Sequence, residues 1–224
     1  MATKYIYELI APQSEYAPWQ LDPVFCDSTW HTVNHTLVDM YRLWELWKIT
    51  EQVGKLSGDI LEVGTYKGGS SATIGLQANR VCPEATIYLC DTFQGIVKCG
   101  EHETPECVDG QHSASIEDVL KVLDSLKVVN TKILVGIFPE DTEHLIPLDT
   151  KFRLCHIDVD VYQSAKDIFD WVWPKIVKHG IVVFDDYGFR DCDGITKLVE
   201  GMMLDKDKHI FHNLNGHAIL VKLE

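Results

Sequence analysis

The sequence predicts an α/β fold: a mostly parallel sheet of seven strands with helices on both faces and an antiparallel strand at its C-terminal end. Three observations carry this. Short apolar runs rich in Ile and Val alternate with helix-length amphipathic segments, the pattern of buried parallel strands and their crossover helices. Two of these runs, RLCHI and GIVVF, end in acidic knots, Asp158-Val159-Asp160 and Asp185-Asp186, with about one crossover helix between them. Finally, Asn215-Gly216 separates the last two apolar runs, and Asn-Gly is a hairpin signal, so those strands pair antiparallel.

The elements follow in order. Residues 1–30 read as irregular, because Pro12, Pro18 and Pro23 break any helix. His31 to Glu51 reads as one helix, with Val33, Leu37, Met40, Tyr41, Trp44 and Trp47 recurring at three and four to make an apolar face. That face is expected to pack on the domain or on a second subunit, since so large an apolar surface is rarely left in water. Strands are expected at about 59–63, 85–90, 131–136, 153–158, 180–185, 208–213 and 217–223. Helices are expected at about 69–80, 114–126, 140–145, 162–177 and 191–203. The simplest organisation is an N-terminal extension over residues 1–54 and one domain over residues 55–224.

The first strand ends in a glycine turn, Glu62-Val63-Gly64-Thr65-Tyr66-Lys67-Gly68-Gly69-Ser70. Glycines there let the backbone approach a ligand closely, and Ser70 can cap the following helix. The order Gly64, Gly68-Gly69 is not the dinucleotide fingerprint G-x-G-x-x-G. Glu62, inside the strand end, needs a donor or cationic partner if buried. The second strand ends in Asp91, the place where nucleotide-binding α/β domains hold a ribose diol.

A right-handed strand–helix–strand unit brings Asp158, Asp160, Asp185 and Asp186 to one edge of the sheet, where ligands of such folds bind. Carboxylates a few Å apart raise one another's pKa unless a cation sits among them. An all-oxygen donor set suits Mg²⁺, Ca²⁺ or Mn²⁺. If the strand continues, His156 shares a face with Asp158 and Asp160, but lies deeper and reads as a core histidine. The segment Gln94 to Ser113 lacks periodicity and carries Gly95, Gly100, Pro105 and Gly110, with His102 and His112. Its place after the Asp91 strand makes it a lid over the ligand edge.

Composition sets limits. A chain of 224 residues with 46% apolar content buries one sizeable core. A net charge of −14 argues against nucleic acid as a partner. No run of 18 apolar residues occurs, so no membrane span is expected. The start MATKYIYELIAPQ lacks the basic and apolar regions of a signal peptide. The seven cysteines are odd in number and contain no C-x-x-C, which predicts neither a zinc knuckle nor a disulfide framework and fits a reducing cytoplasm. Cys90 and Cys155 read as inert core residues.

The runs ILEVGTYKGGSS, CDTFQGI, HSASIEDV, HIDVDVYQSAKD and VFDDYG together resemble the macrocin O-methyltransferase (TylF-like) family, and more distantly the catechol and caffeoyl-CoA O-methyltransferases. The resemblance implies a Rossmann-like class I methyltransferase fold, S-adenosylmethionine and Mg²⁺, and a small-molecule acceptor, commonly a sugar hydroxyl. It implies that Glu62, Gly64, Thr65, Tyr66, Gly68 and Ser70 hold the methionine part of the cofactor. Asp91, with Thr92 and Phe93, would hold the ribose, and Phe138 would flank the adenine. Asp158, Asp185 and Asp186 match the metal ligands. One departure matters: the catechol-type enzymes carry a lysine base where this chain has Val161. The candidate bases are therefore Asp158, Asp160 and His112. A homodimer or larger homo-oligomer is expected, since two-fold dimers are the commonest closed assemblies. A nucleotide-dependent enzyme of another type, or a non-catalytic oligomer that kept the fold, are the alternatives.

Overall fold

The computed structural model describes residues 7–10 and 14–224. Pro12 and most of the N-terminal run MATKYIYELIAPQ lie outside them. Seven strands form one sheet: β1 Asp59–Val63, β2 Ile87–Asp91, β3 Thr131–Val135, β4 Phe152–Ile157, β5 Ile176–Phe184, β6 Lys208–His212 and β7 Ala218–Lys222. Their spatial order is β3-β2-β1-β4-β5-β7-β6. The strands β3, β2, β1, β4 and β5 run parallel, whereas β7 is antiparallel to both β5 and β6. The Asn215-Gly216 turn joins β6 to β7, with Gly216 at φ +102°, a conformation open to glycine. Chain order turns back between β1 and β4, and this places a crevice at the carboxyl ends of those strands.

Among the described residues, six α-helices accompany the sheet: α1 Pro23–Thr32, α2 Met40–Val53, α3 Gly69–Val81, α4 Ile116–Ser125, α5 Tyr162–Val172 and α6 Asp193–Gly201. Successive strand residues feed opposite cores. Leu61, Cys155 and Val182 pack with Ala165, Ile168, Ile195 and Leu198 of α5 and α6. Ile60, Leu154 and Val183 pack with Leu46, Ile49, Ile74 and Val122 of α2, α3 and α4. Both faces of the central strands are thus covered, which is why they read as continuous apolar runs.

The N-terminal region departs from the expectation of irregular chain followed by one helix from His31. Pro23 begins α1 instead of breaking it, because the first turn of a helix leaves its N–H groups without intrahelical partners and proline has none to lose. Asp22 caps it, accepting from Val24 N and Phe25 N at 3.1 Å each. The chain then turns through residues 33–39, and Asp39 caps α2 by accepting from Tyr41 N at 2.8 Å and Arg42 N at 3.1 Å. The break changes the buried face. Val33, Leu37, Met40 and Tyr41 stay exposed, while Leu43, Leu46, Trp47, Ile49 and Val53 are buried. Trp47 is fully enclosed, stands 5.6 Å from the Phe25 ring and donates to Asp22 at 3.0 Å. Trp44 packs edge-on against Phe25 at 5.0 Å, so both tryptophans meet the chain's own aromatic cluster.

Two further boundaries move. The helix expected to reach residue 177 ends at Val172, because Pro174 forces a short 3-10 turn over Trp173–Lys175, and β5 starts at Ile176. The expected helix over 140–145 is a single 3-10 turn, Glu143–Leu145. Cys99 and Cys107 pair as a disulfide with Cα atoms 6.1 Å apart, contrary to the expectation of none. Their C-x₇-C spacing matches no motif, and only folding of the loop brings them together.

Candidate active site

The glycine turn after β1 passes close against the end of β4. Gly64 has φ +92°, and a Cβ built there would lie 1.6 Å from the Asp158 carbonyl oxygen. Only glycine lets β1 and β4 end side by side in this way. The turn closes through Gly68, left-handed at φ +88°, whose N–H donates to Thr65 O at 2.7 Å. Gly68 therefore occupies the cap position of α3, and Ser70 makes no capping hydrogen bond, contrary to expectation. Ser70 instead sits in the first turn and lines the cavity.

Asp91, at the end of β2, accepts from Phe93 N at 2.7 Å with one oxygen and from Tyr66 N at 2.8 Å with the other. Burial raises its pKa, and the hydrogen bonds from Phe93, Tyr66 and Thr65 oppose that rise without cancelling it. The carboxylate is fixed in place by backbone donors, and Asp91 lines the cavity.

The cavity has a volume of about 450 Å³ and takes in Gly64, Tyr66, Ser70, Asp91, Thr92 and Phe138 on one side. Asp158, Asp160, Asp185, Asp186 and His112 form the other wall. Glu62, Thr65, Gly68 and Phe93 do not reach it. Glu62 is fully buried, and its carboxylate is taken by the Ser71 hydroxyl and by His156 Nδ1 at 2.9 Å. Thr65 and Phe93 instead serve Asp91, through the Thr65 Oγ1 contact at 3.5 Å and the Phe93 N–H. Phe138 packs edge-on against Trp171 at 4.8 Å.

The acids arrive on neighbouring strands. β4 ends at Ile157, so Asp158 and Asp160 are not on a continuing strand as expected. The chain turns there, with Asp160 at φ +63°. Asp185 and Asp186 follow β5 directly, with Asp186 also left-handed at φ +62°. Asp158 is pushed well above the ordinary carboxylate range by burial and by the charges of Asp185, Asp186 and Asp160. Asp186 is pushed well up by burial and by Asp185 and Asp160. Asp160 is raised by burial, against a hydrogen bond with Asp186 and the nearby His112. For Asp185, burial is outweighed by His217, Arg42 and His156, and its pKa is lowered.

The cation among these acids is Arg42 of α2, which sequence reasoning missed. Its Nη1 donates to Asp185 Oδ1 at 2.5 Å and reaches Asp186 Oδ1 at 3.5 Å, and its Nε donates to Asp39 at 2.9 Å. Nη2 donates to Leu37 O at 3.1 Å, and the guanidinium lies 4.9 Å over the Phe189 ring. In the sequence Arg42 offers only an i,i+3 pairing with Asp39, which reads as a surface contact. One arginine faces four carboxylates, and two of them are strongly raised. This all-oxygen, charge-deficient donor set fits a hard divalent cation. Among the described residues, ligand atoms of Asp160, Asp186 and Cys192 lie within 4.8 Å of one another, whereas Asp158, Asp185 and Asp186 do not form so tight a group. Likewise, Gly64, Ser70 and Asp91 around one cavity fit a ligand that carries a diol and an amino-acid end.

The expected lid is anchored. Ile96 N donates to Gln111 O, and Gly110 N to Ile96 O, both at 2.8 Å, closing the base of the loop. Glu103 accepts from Tyr162 N at 2.7 Å at the start of α5, where a carboxylate suits the helix dipole. Ser164 Oγ donates to Val97 O at 3.0 Å, and the Lys98 ammonium reaches Asp167 at 2.7 Å. Ile96, Val97, Cys107, Gln111 and His112 thereby roof the cavity.

The pattern of the macrocin-O-methyltransferase (TylF) family matches residues 25–201. The demethyldecarbamoylnovobiocin O-methyltransferase of Streptomyces niveus is 27% identical over 170 residues, which cover 70% of this chain and 64% of that protein. The chain thus matches somewhat less than two thirds of that relative's length. The 8-demethyl-8-(2,3-dimethoxy-alpha-L-rhamnosyl)-tetracenomycin-C 4'-O-methyltransferase of Streptomyces olivaceus is 27% identical over 191 residues, covering 76% of this chain and 69% of that one. The solved structure of the O-methyltransferase NovP superposes with a TM-score of 0.72 at 22% identity, over 85% of this chain and 83% of that one. That likeness shows the class I methyltransferase fold. With four-fifths of its length under the family pattern, the chain belongs to the macrocin-O-methyltransferase (TylF) family.

Proposed function

We propose that the protein transfers the methyl group of S-adenosylmethionine to a hydroxyl oxygen of a small molecule, a sugar or other diol-bearing natural product, with a divalent cation such as Mg²⁺ held by Asp158, Asp185 and Asp186. The observation that carries this reading is that one cavity joins Gly64 and Asp91 to the four acids at the ends of β4 and β5. When bound, the cofactor supplies a methyl group on a sulfonium, and the cation supplies Lewis acidity that lowers the pKa of an alcohol.

The chain's own residues do the rest. Asp91 accepts from the ribose hydroxyls with carboxylate oxygens already oriented by Tyr66 and Phe93. The Gly64 turn brings backbone against the methionine end. Asp160, half-buried on the cavity wall and outside the proposed metal set, takes the hydroxyl proton, with His112 beside it. Its raised pKa suits a base that must hold that proton. The C–O bond forms as the S–C bond breaks, leaving the methyl ether, S-adenosylhomocysteine and a protonated carboxyl. Ile96, Val97, Cys107, Gln111 and His112 line the same cavity, and water displaced from it as the substrates bind would strengthen every charge interaction within it.

Calorimetry with S-adenosylmethionine, followed by methyl transfer to a panel of deoxysugar-bearing acceptors with Mg²⁺, tests the proposal. Cofactor binding and methylation of a hydroxyl support it. Absence of cofactor binding overturns it in favour of a non-catalytic protein that kept the fold.

A further inference from the structure

Beneath the acids, on the face of the sheet covered by α2, lies a second polar group that the methyl-transfer reading does not use. His156 and His217 are fully buried, and Asp185 is 1% exposed. Each histidine is held from behind by a carboxylate. His156 Nδ1 lies 2.9 Å from Glu62 Oε1, and His217 Nδ1 lies 2.7 Å from Glu45 Oε2. Both carboxylates act as acceptors toward their other neighbours: Glu62 takes the Ser71 hydroxyl, and Glu45 takes the amides of Asn213 and Asn215. Each Nδ1 must therefore carry the proton and donate it. In a neutral imidazole this leaves a bare lone pair on Nε2.

Both lone pairs face the same carboxylate. His156 Nε2 is 4.0 Å from Asp185 Oδ2, and His217 Nε2 is 3.7 Å from Asp185 Oδ1. The two rings stand nearly perpendicular, with centroids 6.0 Å apart. His156 Nε2, His217 Nε2 and Asp185 Oδ2 are all buried without a hydrogen-bond partner. The two ring nitrogens and an Asp185 oxygen lie within 4.8 Å of one another. Arg42 and Asp186 N both engage Asp185 Oδ1, so Oδ2 is left open toward His156. With both imidazoles neutral, three buried acceptors face one another with no donor between them, a costly arrangement that a single cation relieves as well as protonation of a ring would.

We propose that His156 Nε2, His217 Nε2 and the Asp185 carboxylate bind one divalent transition ion of the zinc class. Two imidazoles and one carboxylate suit Zn²⁺, Co²⁺, Ni²⁺ or Fe²⁺, whereas Mg²⁺ prefers oxygen alone. A carboxylate behind each histidine, fixing the Nδ1–H tautomer and turning Nε2 toward the ion, is the usual support of a metal-bound imidazole. Around a tetrahedral ion with bonds of about 2.0–2.1 Å, ligand atoms stand roughly 3.3 Å apart, so the group needs only a modest contraction. Asp185 also lines the cavity. The site shares Asp185 with the proposed oxygen-liganded cation but draws its other ligands from different residues, and it does not depend on methyl transfer.

The test uses the full chain stripped with a chelator and reloaded with Co²⁺ or Zn²⁺. A Co²⁺ ion with the visible absorption of a four- or five-coordinate nitrogen-liganded ion, beyond any Co²⁺ taken by the oxygen-liganded set, is the expected result. In wild-type protein labelled with ¹⁵N-histidine, Zn²⁺ should shift the Nε2 resonances of two histidines while their Nδ1 nitrogens stay protonated. This readout requires no mutation, so it survives if a variant fails to fold. His156→Gln and His217→Gln should each lower Co²⁺ affinity at least 100-fold, and Glu45→Gln by about 10–100-fold. Asp158→Asn should leave this binding in place, because Asp158 belongs only to the oxygen set. Zn²⁺ that leaves the histidine resonances unmoved, or Co²⁺ affinity unchanged in folded His156→Gln and His217→Gln, overturns the proposal.

Discussion

Arg42 Nη1 stands 2.5 Å from Asp185 Oδ1, a contact between residues 143 positions apart that ties helix α2 to the end of β5. The guanidinium is nearly out of solvent and is held at its other nitrogens by Asp39 and the Leu37 carbonyl. The N-terminal segment therefore supplies a wall of the cavity and also the positive charge among its acids. Breaking a buried ion pair on one side leaves the other charge uncompensated, which costs about 3–5 kcal/mol. Arg42→Met should destabilise the fold by that amount in urea titrations, and millimolar Mg²⁺ should recover part of the loss. A variant as stable as wild type would show that the pair contributes nothing.

Asp91 is proposed to hold the ribose diol through charge-assisted hydrogen bonds. Asp91→Ala should weaken S-adenosylmethionine binding by about 1–3 kcal/mol, roughly 5–150-fold in Kd. Calorimetry reads this directly. An unchanged Kd would move the cofactor away from β2.

The proposed divalent cation acts on the acceptor and not on the sulfonium donor. EDTA should stop turnover while cofactor affinity stays within about two-fold, and Mg²⁺ should restore the rate. Asp186→Asn should lower kcat by about 10²-fold or more with the cofactor Kd preserved. Full activity in the metal-stripped protein would remove the cation from the mechanism.

Asp22 links α1 to α2 through its cap and the Trp47 indole. Burial raises its pKa, but the donors at Phe25 and Trp47 and the charge of Arg80 outweigh this and hold it below 3.8. A carboxylate with a folded pKa below its unfolded value contributes stability above the unfolded value and loses it as pH falls through the folded one. Asp22→Ala should cost about 1–2 kcal/mol at neutral pH. As pH falls through the depressed folded pKa, where wild-type Asp22 itself becomes protonated, the gap should narrow. Urea midpoints at pH 7 and pH 3 give the comparison, and a pH-independent gap would rule out the charged form as its source.

Trp30, Val33, Leu37, Met40 and Tyr41 form an exposed apolar surface along the break between α1 and α2, with Trp30 at 82% exposure. A two-fold dimer buries such a surface economically. Light scattering at micromolar concentration should report a dimer, and Trp30→Glu should shift it to monomer. A wild-type monomer would count against assembly through this face.

What the sequence by itself determined is the part governed by short-range rules. Alternating strands and crossover helices, the Asn215-Gly216 hairpin, the Gly64 turn, Asp91 at one strand end and the two acidic knots at others all follow from periodicity and turn chemistry over a few residues. Right-handed connection then brings Asp158 and Asp185 to one edge without further information. Only the tertiary structure decided what stands opposite those acids. Arg42 reads as a helix surface residue until α2 is laid across the sheet. Glu45 and His217 lie 172 positions apart, and Glu62 and His156 lie 94 apart. The Cys99–Cys107 pairing and the burial of Leu43, Leu46 and Ile49 in place of Val33 and Leu37 were likewise set by where the loop and the helix dock. The reason is physical: local spacing determines which way a side chain can point along its own element, whereas the partner of a buried charge is set by strand order and helix placement, which bring distant segments into contact.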